Sequence, residues 1–189
     1  MNIPIEVSAR HTHLSKEVAD VLFGKDYNFN IRKELSQPGQ YACEERVDII
    51  GPKNTLKNVA VLGPLRAKTQ VEISITDSLK IGIECPIRES GDLQGTPGCI
   101  LKGPCGEYEL ESGLIVAKRH IHMHTSDAQK AGAKNGVVAS VKIKSFERSL
   151  VYNDVVIRVS DNFSLAMHID TDEANALNYR QGLTGELIL

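Results

Sequence analysis

The segment Val7-Ser8-Ala9-Arg10-His11-Thr12-His13-Leu14 returns past the middle of the chain as Val116-Ala117-Lys118-Arg119-His120-Ile121-His122-Met123. A chain that repeats such a unit folds as two like halves, each placing the same pair of histidines in the same way. After each copy the composition turns helical, over Ser15 to Phe23 and Ser126 to Gly132, with Ser15 and Ser126 as candidate N-caps. A weaker correspondence lays Gln70 to Asp77 against Ala166 to Glu173 and sets Glu72 opposite His168.

Between these anchors the sequence is β-like, over Arg46 to Ile50, Val59 to Leu62, Gln70 to Ile75, Leu79 to Ile83, Gly113 to Ala117, Gly136 to Ile143, Leu150 to Val159 and Ser164 to Ile169. Turns fall at Gly51-Pro52, Gly63-Pro64, Gly95-Thr96-Pro97-Gly98 and Gly103-Pro104. Many short strands, few helices and two copies predict a mainly β fold: two small β-barrels related by internal duplication and capped by short helices. The first barrel is expected over residues 10–117 and the second over 118–189. Glu84 to Gly106, rich in Gly and Pro with little periodicity, reads as a long loop or linker, either functional or disordered.

Side chains two apart on a strand point the same way, whereas on a helix they diverge by about 200°. H-x-H therefore makes a shared site only on extended backbone, and Val7 to His13 and Ile115 to His122 have that character. Two imidazoles and one distant carboxylate or imidazole form the three-ligand pattern of catalytic zinc, whose fourth position stays open. The repeat offers that third donor twice, as Glu72 and as His168. Five of six histidines fall into this duplicated pattern, where solvated or core histidines would scatter. The sixth, His124, has no counterpart in the first half and reads as a bystander.

Four arginines stand near these elements. Arg66 follows the Gly63-Pro64 turn and precedes Glu72 by six residues. Its planar guanidinium suits two parallel hydrogen bonds to phosphate, and equally a surface ion pair. Arg10 and Arg119 face away from the histidines and read as structural ion-pairing groups. Arg88, within the long loop, is a candidate substrate contact.

The charge balance, 22 Lys and Arg against 24 Asp and Glu, offers no broad basic surface for nucleic acid or anionic lipid. Nine Phe and Tyr with no Trp argue against stacking platforms for single strands. No stretch approaches the roughly 20 apolar residues of a membrane span. Cys43, Cys85, Cys99 and Cys105 form no CxxC pair and read as free, buried thiols in a cytoplasmic protein.

The segments SARHTHLS, GPLRAKTQVEIS, PIRESGD, TPG and IVAKRHIHM, in that order along the whole chain, resemble the PduL-type phosphotransacylase (phosphate propanoyltransferase) family. The resemblance implies an acyltransferase that moves a short acyl group, propanoyl or acetyl, between coenzyme A and inorganic phosphate. It also implies a homodimer, a first strand, residues 1–9, that crosses to the C-terminal barrel, and two divalent metal ions near the barrel interface. By motif, His11, His13 and Glu72 would hold the first zinc, with the sulfur of coenzyme A as its fourth ligand. His120, His122 and His168 would hold the second, and Arg66 would bind phosphate. Family members packaged in bacterial microcompartments often carry an amphipathic extension before the first barrel. Here the barrel motif begins almost at once, so association with a shell is not expected.

The expected chemistry is direct attack of phosphate on the thioester carbon, with Cys85 as an acylated nucleophile the rival route. Two other functions compete: a dinuclear zinc hydrolase of thioesters or phosphate esters, and a non-catalytic metal-binding barrel. The three-donor count, which leaves a position open, favours an enzyme.

Overall fold

A computed structural model describes residues 1–189. In chain order its elements are β1 (Asn2–Val7), β2 (His11–Ser15), α1 (Lys16–Phe23), β3 (Ile31–Glu34), β4 (Tyr41–Ile50), β5 (Thr55–Arg66), β6 (Gln70–Ile73) and α2 (Ile75–Ile81). There follow β7 (Ile87–Arg88), β8 (Cys99–Lys102), β9 (Glu107–Leu110), β10 (Leu114–Ala117), β11 (His120–Met123), α3 (Thr125–Ala131), β12 (Val138–Ile143), β13 (Leu150–Val159), β14 (Ala166–Ile169), α4 (Thr171–Ala176) and β15 (Thr184–Ile188). The chain divides into two compact units, one of Met1–Ser8 with Lys118–Leu189 and the other of Ala9–Ala117.

In the first of these units β1, β14, β11, β13, β12 and β15 close into a barrel. Alternation decides which side chains fill it: Ile3 and Ile5 from β1, Ile121 and Met123 from β11, and Val141 and Ile143 from β12 share one apolar cluster. Each such side chain contributes roughly 1.5–3 kcal/mol by leaving water. The expected crossing of the first strand is present, with β1 parallel to β14 and antiparallel to β15.

The mainly β expectation holds, and the other unit is a curled half-barrel. Its sheet runs β7-β10-β6-β2-β5-β4-β8-β9, with β3 on β4, and does not close. The two-residue β7 at one end and β9 at the other lack a joining register, so a curled open sheet results. Its core gathers Leu14, Val18 and Leu22 with Ile49, Leu56, Val71, Ile81, Leu101 and Leu114.

The duplication extends into the pairing. Each H-x-H strand lies between a parallel neighbour and an antiparallel one, β2 between β5 and β6, and β11 between β13 and β14. The strand that precedes each H-x-H pairs within the sheet of the other repeat: β1 lies beside β14, and β10 beside β6. The two repeats have exchanged their leading strands.

Three local expectations are corrected. Leu79 to Ile83 is not a strand, since α2 occupies Ile75–Ile81. The apolar alternation there is misleading because Ile75 and Leu79 are exposed. What decides the conformation is the Ser74 N-cap, which accepts from the Asp77 amide, and Gly82, left-handed at φ 76°, which ends the helix. In α3 the N-cap is His124 rather than Ser126, with His124 Nδ1 accepting from the Ser126 amide at 3.1 Å. The sixth histidine is thus a capping residue. Finally, Glu84 to Gly106 is no linker, because β7 pairs with β10 and β8 with β4.

The TPG segment shows how that region is fixed. Thr96 Oγ1 donates to the Leu93 carbonyl and accepts from the Gly113 amide, and the Leu114 amide donates to the Pro97 carbonyl. Gly98 is pressed so closely on the Leu110 carbonyl that an added Cβ would lie 1.8 Å from it. Backbone on backbone cannot repack, so Gly98→Ala is expected to cost about 3 kcal/mol or more. A denaturant midpoint equal to that of the parent would refute this.

Candidate active site

His11 and His13 project from the side of β2 opposite Thr12 and Leu14, toward the neighbouring β6. His11 is register partner to Glu72 and His13 to Gln70. Glu72 is thereby brought to both imidazoles, Oε2 lying 3.5 Å from His11 Nε2 and Oε1 4.0 Å from His13 Nε2. All three side chains are about nine-tenths buried or more. The second triad repeats the plan: His120 is register partner to His168, and the donor atoms of His120, His122 and His168 lie within 4.8 Å of one another, as do those of the first set.

These donor sets fit a metal ion. Ligands held at about 2.0–2.2 Å in a tetrahedron sit about 3.3–3.6 Å apart, close to the spacing of the first triad. The tautomers agree as well. His11 Nδ1 lies 2.8 Å from the Ala9 carbonyl and His120 Nδ1 2.9 Å from the Lys118 carbonyl. A ring proton donated there leaves Nε2 of each histidine as the lone-pair nitrogen facing its triad.

Electrostatics divide the first pair. Burial pulls the His11 pKa down, but the charge and hydrogen bond of Glu72, with help from the Ala9 carbonyl, overcome it and hold the pKa above its ordinary value. His13 is lowered to about 3 by burial first, then by His11 and by Arg66. It is therefore a neutral base at any ordinary pH, the protonation state a metal requires.

Arg66, at the end of β5, belongs to the surroundings of this triad. Its Nη1 donates to Ser90 Oγ at 3.1 Å. Ser90 Oγ lies 3.3 Å from Glu72 Oε1 and accepts from Gln70 Nε2 at 2.8 Å. Gln70 Nε2 also donates to Glu72 Oε1 at 2.5 Å, while its Oε1 accepts from the Gly91 amide. A chain of polar contacts thus runs from the guanidinium through Ser90 and Gln70 to the carboxylate. The sequence reading missed both Gln70 and Ser90. Gln70 lies two residues before Glu72, so the period-two argument that picked out H-x-H would have found it; Ser90, on a separate segment, has no such signal.

Arg88 lies on β7, its Nε 3.5 Å from Asp92 Oδ2 and its Nη1 on the Ile87 carbonyl. Arg10 and Arg119 form the expected ion pairs, each at 3.1 Å, with Asp77 and Glu173. Both acids are the third residue of the helix that follows the third-donor strand, so each half ties its H-x-H loop to that helix in the same way. All four cysteines are free; Cys43 and Cys99 are buried, while Cys85 is half-buried and Cys105 exposed, against the expectation that all are buried. No helix is long and apolar enough to cross a membrane.

Residues 4–180 match the family model described as phosphate propanoyltransferase. A phosphate propanoyltransferase of Listeria monocytogenes is 50% identical over 98% of this chain and 87% of its own. One of Clostridioides difficile is 52% identical over 98% and 88%, and one of Salmonella typhimurium is 52% identical over 92% and 82%. The family match and these relatives define an enzyme of the acyltransferase class. The chain belongs to the phosphate propanoyltransferase family.

Proposed function

We propose that the chain interconverts propanoyl-CoA, or acetyl-CoA, and inorganic phosphate with the acyl phosphate and coenzyme A, through direct attack of phosphate on the thioester. The observation that carries this reading is the polar chain joining Arg66, Ser90, Gln70 and Glu72 beside two buried imidazoles. It sets an anion-binding fork next to a three-donor centre.

In the reaction a phosphate oxygen forms a bond to the thioester carbon, the carbon–sulfur bond breaks, and the sulfur leaves as thiolate. Arg66 binds the phosphate dianion through two parallel N–H donors and aligns it for attack. Ser90, accepting from Arg66, fixes the plane of the guanidinium. Gln70 fixes the Glu72 carboxylate, and the Ala9 carbonyl fixes the His11 ring. Arg88, two residues before Ser90, supplies a further contact to the outer part of the substrate. His11, His13 and Glu72 would hold one zinc ion and His120, His122 and His168 a second, and zinc held there would supply Lewis-acid chemistry to the leaving thiolate and the thioester carbonyl. The family likeness supports a homodimer, and the free thiols fit a reducing, cytoplasmic setting.

No acyl-enzyme is needed. Burial raises the pKa of Cys85, only partly opposed by Ser78, so its thiol is a poor nucleophile. The test is release of free coenzyme A thiol from propanoyl-CoA, with and without phosphate, by the parent and by Cys85→Ala. Phosphate-dependent release by both proteins is expected. Release that ignores phosphate would make the chain a thioester hydrolase, and a dead Cys85→Ala variant would restore the covalent route.

A further inference from the structure

The two triads differ in their third donor, a carboxylate in one and an imidazole in the other, and the exchanged strands differ at the matching place. Extending the alignment of Val7 with Val116 by one residue sets Glu6 opposite Ile115. Ile115 is the register partner of Glu72 across β10 and β6, and Glu6 is the register partner of His168 across β1 and β14. Each third donor therefore has the equivalent strand beside it. Where the donor is Glu72 its neighbour is apolar, and where the donor is His168 its neighbour is a carboxylate. Both halves hold one carboxylate, displaced in the second by one strand.

Glu6 Oε2 lies 3.8 Å from His168 Nδ1, with the His168 side chain 15% exposed and that of Glu6 37%. This is ion-pair range, about 1 Å longer than a charge-assisted hydrogen bond. With Nδ1 turned toward Glu6, Nε2 is the nitrogen left for the triad. His11 and His120 have backbone carbonyls at this position, from Ala9 and Lys118, and His168 has Glu6.

We propose that Glu6 is the positioning residue of the second triad, accepting the Nδ1 proton of His168 and so presenting Nε2 to a divalent cation. This rests on the metal reading of the triads given above. It assigns a role to the exchange of β1: the crossing strand brings the carboxylate that orients the third donor. Its neighbours Ile3 and Ile5 point into the barrel core, which fixes the side of the sheet from which Glu6 acts.

The test is zinc binding, measured by competition with a chromophoric chelator in a His11→Ala background, where the second triad alone is intact. Loss of such an outer partner weakens metal binding by about 10–100-fold, and Glu6→Ala should do so. Glu6→Gln, whose amide oxygen still accepts, should recover most of the loss. Parent-like affinity in Glu6→Ala, or Glu6→Gln no better than Glu6→Ala, overturns the assignment. A parent that binds no zinc at the second triad overturns the metal reading as well, which separates the two failures. If Glu6→Ala does not fold, long-range proton–nitrogen NMR of the metal-free parent decides: a His168 proton on Nδ1 supports the assignment, and one on Nε2 sinks it.

Discussion

Glu72→Ala is expected to abolish all but a trace of turnover and, on the proposed two-zinc reading, to lower zinc content from two ions per chain to one. Glu72 is the only carboxylate of the first triad and is nine-tenths buried between two imidazoles. Lewis-acid stabilisation is worth several kcal/mol. At about 1.4 kcal/mol per factor of ten, the loss of rate is roughly 10³-fold. Stripping the parent with a chelator should give the same loss, reversed by added zinc. The sign of the electrostatic change is also defined. Glu72 keeps the His11 pKa up against burial, so its removal leaves His11 a weaker base. Elemental analysis and thiol release measured on one preparation decide the matter. Two zinc ions together with a parent-like rate would remove Glu72 from the site.

Arg66 carries the second large effect. Its guanidinium is tied to Ser90, and through Ser90 to the carboxylate, so its direction is already set for the proposed role in binding phosphate. Removing one such preorganised donor group costs about 2.7–4 kcal/mol, or roughly 10²–10³ in rate. Arg66→Ala should therefore lower kcat/KM for phosphate by about that factor, with less change in KM for propanoyl-CoA. Lysine keeps the charge but not the planar fork, and Arg66→Lys should recover only a small part of the loss. Equal losses toward both substrates would instead indicate collapse of the Glu72 network. An unchanged phosphate KM would end the assignment.

The legibility of this site in the sequence follows its periodicity. His11 with His13 and His120 with His122 could be read because a strand turns alternate side chains to one face, and β2 and β11 are strands. Glu72 and His168 came from a weak alignment, and the shared register, His11 with Glu72 and His120 with His168, shows what that alignment reflected. The Arg66–Ser90 contact spans 24 residues and left no local trace. His124 and Leu79 were misread because helix caps, set by one or two hydrogen bonds, outweighed patterns spread over several residues. Closure of one sheet and not the other depends on strand ends such as β7 and β9, which local propensity does not specify.

The exchanged leading strand also bears on how the chain reaches its native state during translation. Ile3 pairs with Gly185 and Ile5 with Met167, so β1 leaves the ribosome about 160 residues or more ahead of its partners. At roughly 5–20 residues per second, that is a delay of about 10–30 s. Ala9–Ala117 can assemble in the meantime, while β1 stays an unpaired apolar edge until β14 and β15 have been made. The barrel is thus a late product of synthesis, and the strand most exposed to misassociation in the nascent chain is one made long before its partners.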